Sequence, residues 1–173
     1  MLPDLLRPGL RVVIAGTRRA GRPPAHPHYY AGPGNRFYEL LHASGLVPEP
    51  LRPEDDDRLP DLGIGLTDLE RRVDEVAGHE TVIVPLVAPF EAKLRRVAPA
   101  VVAFVSKTAA TVYARGVGER APSHYGPTAF EVAGRPGFVL PGPSGANNGM
   151  PLPLRIALWR DLADQLDLLG HQS

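Results

Sequence analysis

Cysteine is absent from this 173-residue chain. That removes disulfides, thiolate catalysis and any zinc or iron–sulfur centre held by thiolates, and it fits a reducing cytoplasm. Long apolar runs are missing too. The first apolar residues are broken by Pro3, Asp4, Arg7 and Pro8, and no run nears the roughly 20 residues of a membrane-spanning helix. A soluble, cytoplasmic protein with no membrane partner is expected. Net charge is also lacking, with 19 basic residues against 19 acidic ones, which at first argues against a polyanionic partner. The charges are segregated, however. Arg7 to Arg36 holds arginines and no acid, whereas Glu54-Asp55-Asp56-Asp57 and Asp61 form an acidic patch downstream. A neutral total can hide a basic face that touches phosphate.

The length suits one domain with a sizeable core. Its organising stretch runs from Arg11 to Ser44. Arg11 to Ala15 is short, apolar and β-branched and ends at Gly16, as a buried strand would. Asn35 is a good N-cap for a helix carrying Phe37, Leu40 and Leu41 at helical spacing, and Gly45 stops it. The loop between carries Arg18, Arg19 and Arg22, then His26, His28, Tyr29 and Tyr30, then the Gly32-Pro33-Gly34 turn. Cations beside aromatic rings beyond the carboxyl end of a strand suit a phosphate-bearing ligand with a flat base. The two histidines lack a nearby carboxylate in sequence, so they read as loop residues rather than metal ligands.

Residues 46 to 62 are proline-rich and acidic and read as a surface connection with at most a short helix. Thr67 and Glu70 have capping-box spacing and predict a helix start. Thr81 to Ala88 is apolar but contains Pro85, leaving strand and irregular segment both open. Phe90 to Val97 predicts a helix with Phe90, Leu94 and Val97 inward and Lys93, Arg95 and Arg96 outward. Val101 to Val105 and Phe138 to Leu140 read as strands, Lys107 to Arg115 as a short helix. Leu154, Leu158, Leu162, Leu166 and Leu169 mark a last helix anchored by Trp159. Strands alternating with helices give an α/β fold, a parallel sheet between helical layers. The Arg18–Tyr30, Gly63–Asp68 and Pro141–Asn148 segments then reach one sheet edge and make one site.

The run Tyr30-Ala31-Gly32-Pro33-Gly34-Asn35-Arg36-Phe37-Tyr38 resembles the signature after the catalytic loop of the mismatch-specific uracil and thymine-DNA glycosylases, in the uracil-DNA glycosylase superfamily. Gly16 to Ala20, Gly63-Ile64-Gly65-Leu66-Thr67-Asp68 and Gly142-Pro143-Ser144-Gly145-Ala146 are similar to three further family motifs in the right order. The resemblance implies a three-layer sandwich with a mostly parallel four-stranded sheet, and an enzyme that hydrolyses the N-glycosidic bond of a flipped base without cofactor or metal. It also implies double-stranded DNA with a mismatched or damaged base as partner, a nucleoid location and a monomer.

The resemblance assigns roles residue by residue. The family's water-positioning asparagine falls on Arg18, which cannot accept a proton. Asp68 is the best remaining catalytic candidate, to orient water and stabilise a cationic sugar; the plain alternative is a residue favouring a helix N-terminus. Arg18 could pair with Asp68, contact a phosphate, or donate to a base oxygen. Tyr30 matches the base-stacking aromatic, Asn35 could read the base edge or cap its helix, and Ser144 would grip a phosphate. Gly145, Ala146 and Asn147 occupy the place of the wedge. The main expectation is excision of uracil from G·U pairs, with thymine or other damaged bases open. The rival is a damage-binding protein that has lost hydrolysis.

Overall fold

The computed structural model describes residues 2–76, 78, 80–145 and 149–170. Six strands, β1 (Val12–Arg19), β2 (Ile64–Val76), β3 (Glu80–Pro85), β4 (Val101–Phe104), β5 (Gly126–Val132) and β6 (Arg135–Val139), form one sheet in the order β3-β2-β1-β4-β6-β5. The inner four run parallel, and β3 and β5 add antiparallel edges. The expected four-stranded parallel sheet is therefore the centre of a six-stranded mixed one. The antiparallel edges had no clean signal: β5 alternates exposed and half-buried residues over much of its length, as a sheet edge does.

Period-two alternation sorts the core. Val12, Ile14, Ile64 and Leu66 face α1 (Phe37–Ala43) and α4 (Leu152–Gly170), where Phe37, Leu40, Trp159 and Leu162 are buried. Val13, Ala15 and Leu69 face α2 (Val87–Val97) and α3 (Lys107–Gly116), where Phe90, Leu94 and Tyr113 are buried. Both faces of β1 are thus covered, which is why it reads as a continuous apolar run.

Four readings of the sequence need correction. Thr67 does not begin a helix: it lies inside the 13-residue β2, which pairs with β1 from Ile64 to Arg71. Ladder pairing, with Leu66 and Leu69 buried on opposite faces of the sheet, outweighs a capping-box spacing. β1 continues to Arg19, so Arg18 is a strand residue and not a loop residue. Pro53–Leu62 is a ten-residue 3-10 helix, and Asp56 within the acidic run is buried. On α4 the buried positions are Arg155, Trp159, Leu162, Ala163 and Leu166, while Leu154 faces solvent. Thr81 to Pro85, left open by the sequence, belongs to β3.

The N-terminal residues complete the outer edge of β2 before β3 begins. Leu5 and Leu66 exchange backbone hydrogen bonds of 2.9 and 3.0 Å. Asp4 is thereby set against Thr67, whose hydroxyl donates to Asp4 Oδ1 at 2.7 Å.

Candidate active site

In the β1–β2 ladder Gly16 lies opposite Asp68 and Arg18 opposite Glu70. All four positions share parity, so they project on one sheet face. Gly16 has no side chain to fill the space in front of it, and Asp68 Oδ1 takes that space: a Cβ on Gly16 would stand 2.9 Å from the carboxylate oxygen and 3.4 Å from the Tyr30 hydroxyl. Asp68 and Tyr30, distant in sequence, thus meet over one glycine.

Arg18 is paired with Glu70, not Asp68. Its Nε is buried without a hydrogen-bond partner among the described residues. Asp68, Arg18 and Glu70 line a cavity of about 360 Å³ with Asp4, Tyr29, Phe90, Lys93 and Arg96 among its other walls. Lys93, read from sequence as an outward cation, turns into this cavity. Its ammonium donates to the Asp68 carbonyl at 3.2 Å and to Asp4 Oδ2 at 3.2 Å, and its side chain is only 17% exposed.

Burial lifts the Asp68 carboxyl above its ordinary range, Arg18 and Lys93 pull it back, and Asp4 and Glu70 add to the rise. A carboxylate shifted in this direction is a stronger acceptor for a water proton than an ordinary one. The Tyr30 hydroxyl is pushed well up, by burial first and then by Asp68, and its oxygen is buried without a hydrogen-bond partner among the described residues.

Tyr30 itself is held in the left-handed region at φ 54°, an uncommon conformation for a bulky residue. Its neighbours fix it there. Buried Asp56 accepts from the Tyr29 N–H at 3.1 Å and lies 3.3 Å from His28 Nδ1, and the Tyr38 hydroxyl donates to the Tyr29 carbonyl at 2.8 Å. The Tyr30 ring stacks on Phe37 with centroids 4.0 Å apart. Among the described residues no group of three or more His, Cys, Asp and Glu is placed to hold a metal ion.

A second cluster forms where the last loop meets the Gly32–Gly34 turn. Arg36 N–H donates to the Pro143 carbonyl at 2.9 Å, and a Cβ on Gly145 would lie 3.5 Å from the Gly34 carbonyl oxygen. Asn35 Oδ1 accepts from Phe37 N–H at 2.9 Å, so its side chain organises the start of α1. Ser144 is exposed beside this junction. Ala146 and Asn147, the expected wedge, lie outside the described residues.

The family described as the uracil DNA glycosylase superfamily matches residues 3–163. The chain belongs to this superfamily. Its members are DNA glycosylases, so DNA is the expected polymer and glycosidic hydrolysis the reaction class. The fold agrees. The solution NMR structure of a Methanosarcina acetivorans protein described as a candidate uracil DNA glycosylase is similar, with a TM-score of 0.59, 20% sequence identity, and coverage of 94% of this chain and 96% of that one.

Within this superfamily member the structure gathers Arg18, Tyr30 and Asp68 around Gly16, and Asn35, Ser144 and Gly145 around a neighbouring junction. Sequence reasoning missed Glu70, Lys93, Asp4 and Asp56. Glu70 was within reach: had β2 been read as a strand, Asp68 and Glu70 would have fallen on one face. Asp4 and Lys93 join the site only through tertiary packing, and nothing local announces them.

Proposed function

We propose that the chain is a monofunctional DNA glycosylase that removes uracil from G·U mismatches, with Asp68 in the role that an asparagine at position 18 would otherwise fill. The reading rests on one observation above others: a partly desolvated carboxylate, raised in basicity and flanked by Arg18 and Lys93, lies over Gly16 at the wall of a base-sized cavity. In the proposed reaction the flipped nucleotide enters this cavity, whose aromatic walls are Tyr29 and Phe90, while Tyr30, stacked on Phe37, stands behind Asp68 rather than in the cavity wall. The C1′–N bond breaks and its electron pair leaves with the base. Water forms the new C1′–O bond and gives its proton to Asp68, whose negative charge also steadies the cationic sugar. Ser144 and Gly145 meet the backbone phosphate beside the flipped nucleotide, and Arg19 and Arg22, both exposed, meet phosphates further along.

The test is release of uracil from a G·U duplex by the wild-type chain and its loss in Asp68→Ala. A second reading has one specific observation behind it. Arg18 stands where the water-positioning asparagine is expected and is held by Glu70, which favours a protein that binds mismatches without hydrolysis. That reading expects duplex binding with no base released. Thymine in G·T pairs is the second substrate to assay.

A further inference from the structure

Arg155 carries a charge that Asp68 chemistry does not use. It is a cation with only 3% of its surface exposed. Among the described residues it makes no ion pair and its Nε is buried without a hydrogen-bond partner, while Nη1 donates to the Gly142 carbonyl at a long 3.4 Å. Arg155 also lies in the first turn of α4, with its N–H on the Pro151 carbonyl at 3.1 Å. A positive side chain there works against the helix dipole. A guanidinium that is buried, unpaired and at the unfavourable end of a helix destabilises the fold unless a negative charge comes close to it.

The loop that Arg155 reaches, the one after β6, is set with its carbonyls inward. Pro141 accepts from Trp159 Nε1 at 3.0 Å, Gly142 from Arg155, and Pro143 from the Arg36 N–H at 2.9 Å. Three successive carbonyls are thus taken by donors from α4 and the start of α1. Pro141 and Pro143 are buried, and Ser144 beside them is exposed. The guanidinium has no surface through which to touch a ligand. Its charge acts across the loop backbone instead, where low polarity screens it less than water screens an exposed arginine.

We propose that Arg155 is a positioning residue for DNA binding: a fixed positive charge behind the loop that holds the Gly142 carbonyl inward and draws a backbone phosphate onto Ser144 and Gly145. The assignment rests on the glycosylase reading for that phosphate contact. It explains why a charge that costs stability stands where an apolar side chain would pack.

Fluorescence anisotropy at low salt, on a duplex with one 2′-fluoroarabino uridine opposite guanine, measures binding without cleavage, and a thermal scan measures what the charge does to the fold. Arg155→Gln loses the charge but keeps an amide donor for the Gly142 carbonyl, whereas Arg155→Lys keeps the charge. The Gln variant should melt at or above the wild-type temperature yet bind about tenfold more weakly, and the Lys variant should bind close to wild type. Replacing the phosphates on the two sides of the uridine one at a time by a neutral methylphosphonate separates attraction from folding. At one of them the substitution should weaken the wild-type chain more than Arg155→Gln, which has already lost the partner charge. Wild-type affinity in Arg155→Gln, equal weakening in the Lys variant, or methylphosphonate penalties that match in the wild-type chain and Arg155→Gln would overturn the proposal. So would an Arg155→Gln chain that melts well below wild type, since the guanidinium would then serve the fold. Failure to release uracil from a cleavable duplex would defeat the glycosylase reading alone, because the binding ratios do not depend on hydrolysis.

Discussion

At the residue scale the account turns on Asp68. Its carboxyl is raised in the folded chain, chiefly by burial. A raised acid favours the folded state when protonated, so its contribution to stability is fully present below its unfolded pKa and is lost as pH rises through the folded value. Two consequences follow for Asp68→Asn, which removes the buried charge and the proton acceptor together. The melting temperature at neutral pH should rise by a few degrees in a thermal scan, and single-turnover base release should fall by on the order of 10²- to 10⁴-fold. In the wild-type chain the acid limb of the pH–rate profile should lie above the ordinary carboxylate range, because release needs Asp68 ionised. Gly16→Ala isolates position from chemistry. Its Cβ would meet Asp68 Oδ1 at 2.9 Å, so the carboxylate must swing away. The variant should fold and bind duplex DNA yet release base at least about tenfold more slowly, since small misplacements of catalytic groups are costly.

At the scale of elements, the site depends on how the loop after β1 is tied down. Asp56, from the 3-10 helix of the acidic run, holds the Tyr29 N–H and lies against His28. Replacing it with leucine leaves a buried N–H without an acceptor. A loss of about 1–3 kcal/mol is expected, visible as a lower urea midpoint with an unchanged slope. The sequence showed this acid run only as a solvated connection, because nothing local marks which of four consecutive acids turns inward. The same limit explains β2. Its capping-box spacing is a local signal for a helix, whereas the pairing that makes it a strand comes from β1, some fifty residues earlier. By contrast β1, β4 and α1 to α3 were legible, because burial on both strand faces or along one helix stripe writes itself into the sequence. On α4 the leucine repeat and Trp159 gave the helix and most of its buried face, Leu162 and Leu166 included; the departures are at its start, where Leu154 is exposed and the stem of Arg155 is buried.

Over the whole molecule the fold and the superfamily were readable from motifs in order, and the interior of the site was not. Gly16, Arg18, Tyr30 and Asp68 were each visible. Their neighbours Asp4, Glu70 and Lys93 became site residues only when the N-terminal segment, β2 and α2 closed one cavity. The zero net charge likewise concealed the placement of the exposed arginines Arg19 and Arg22 beyond the carboxyl end of β1. If these meet phosphates, duplex affinity should fall linearly on a logarithmic salt scale, with each contact contributing a slope of about 0.9. Arg19→Ala/Arg22→Ala should then flatten the slope by about two units in a fluorescence anisotropy titration. The central claim is tested most directly by a labelled duplex with one G·U pair, incubated with the wild-type chain or Asp68→Ala and then treated with alkali. Strand cleavage after wild type and none after the variant is the predicted result. Intact strands after wild type, with the duplex still bound, would contradict the account.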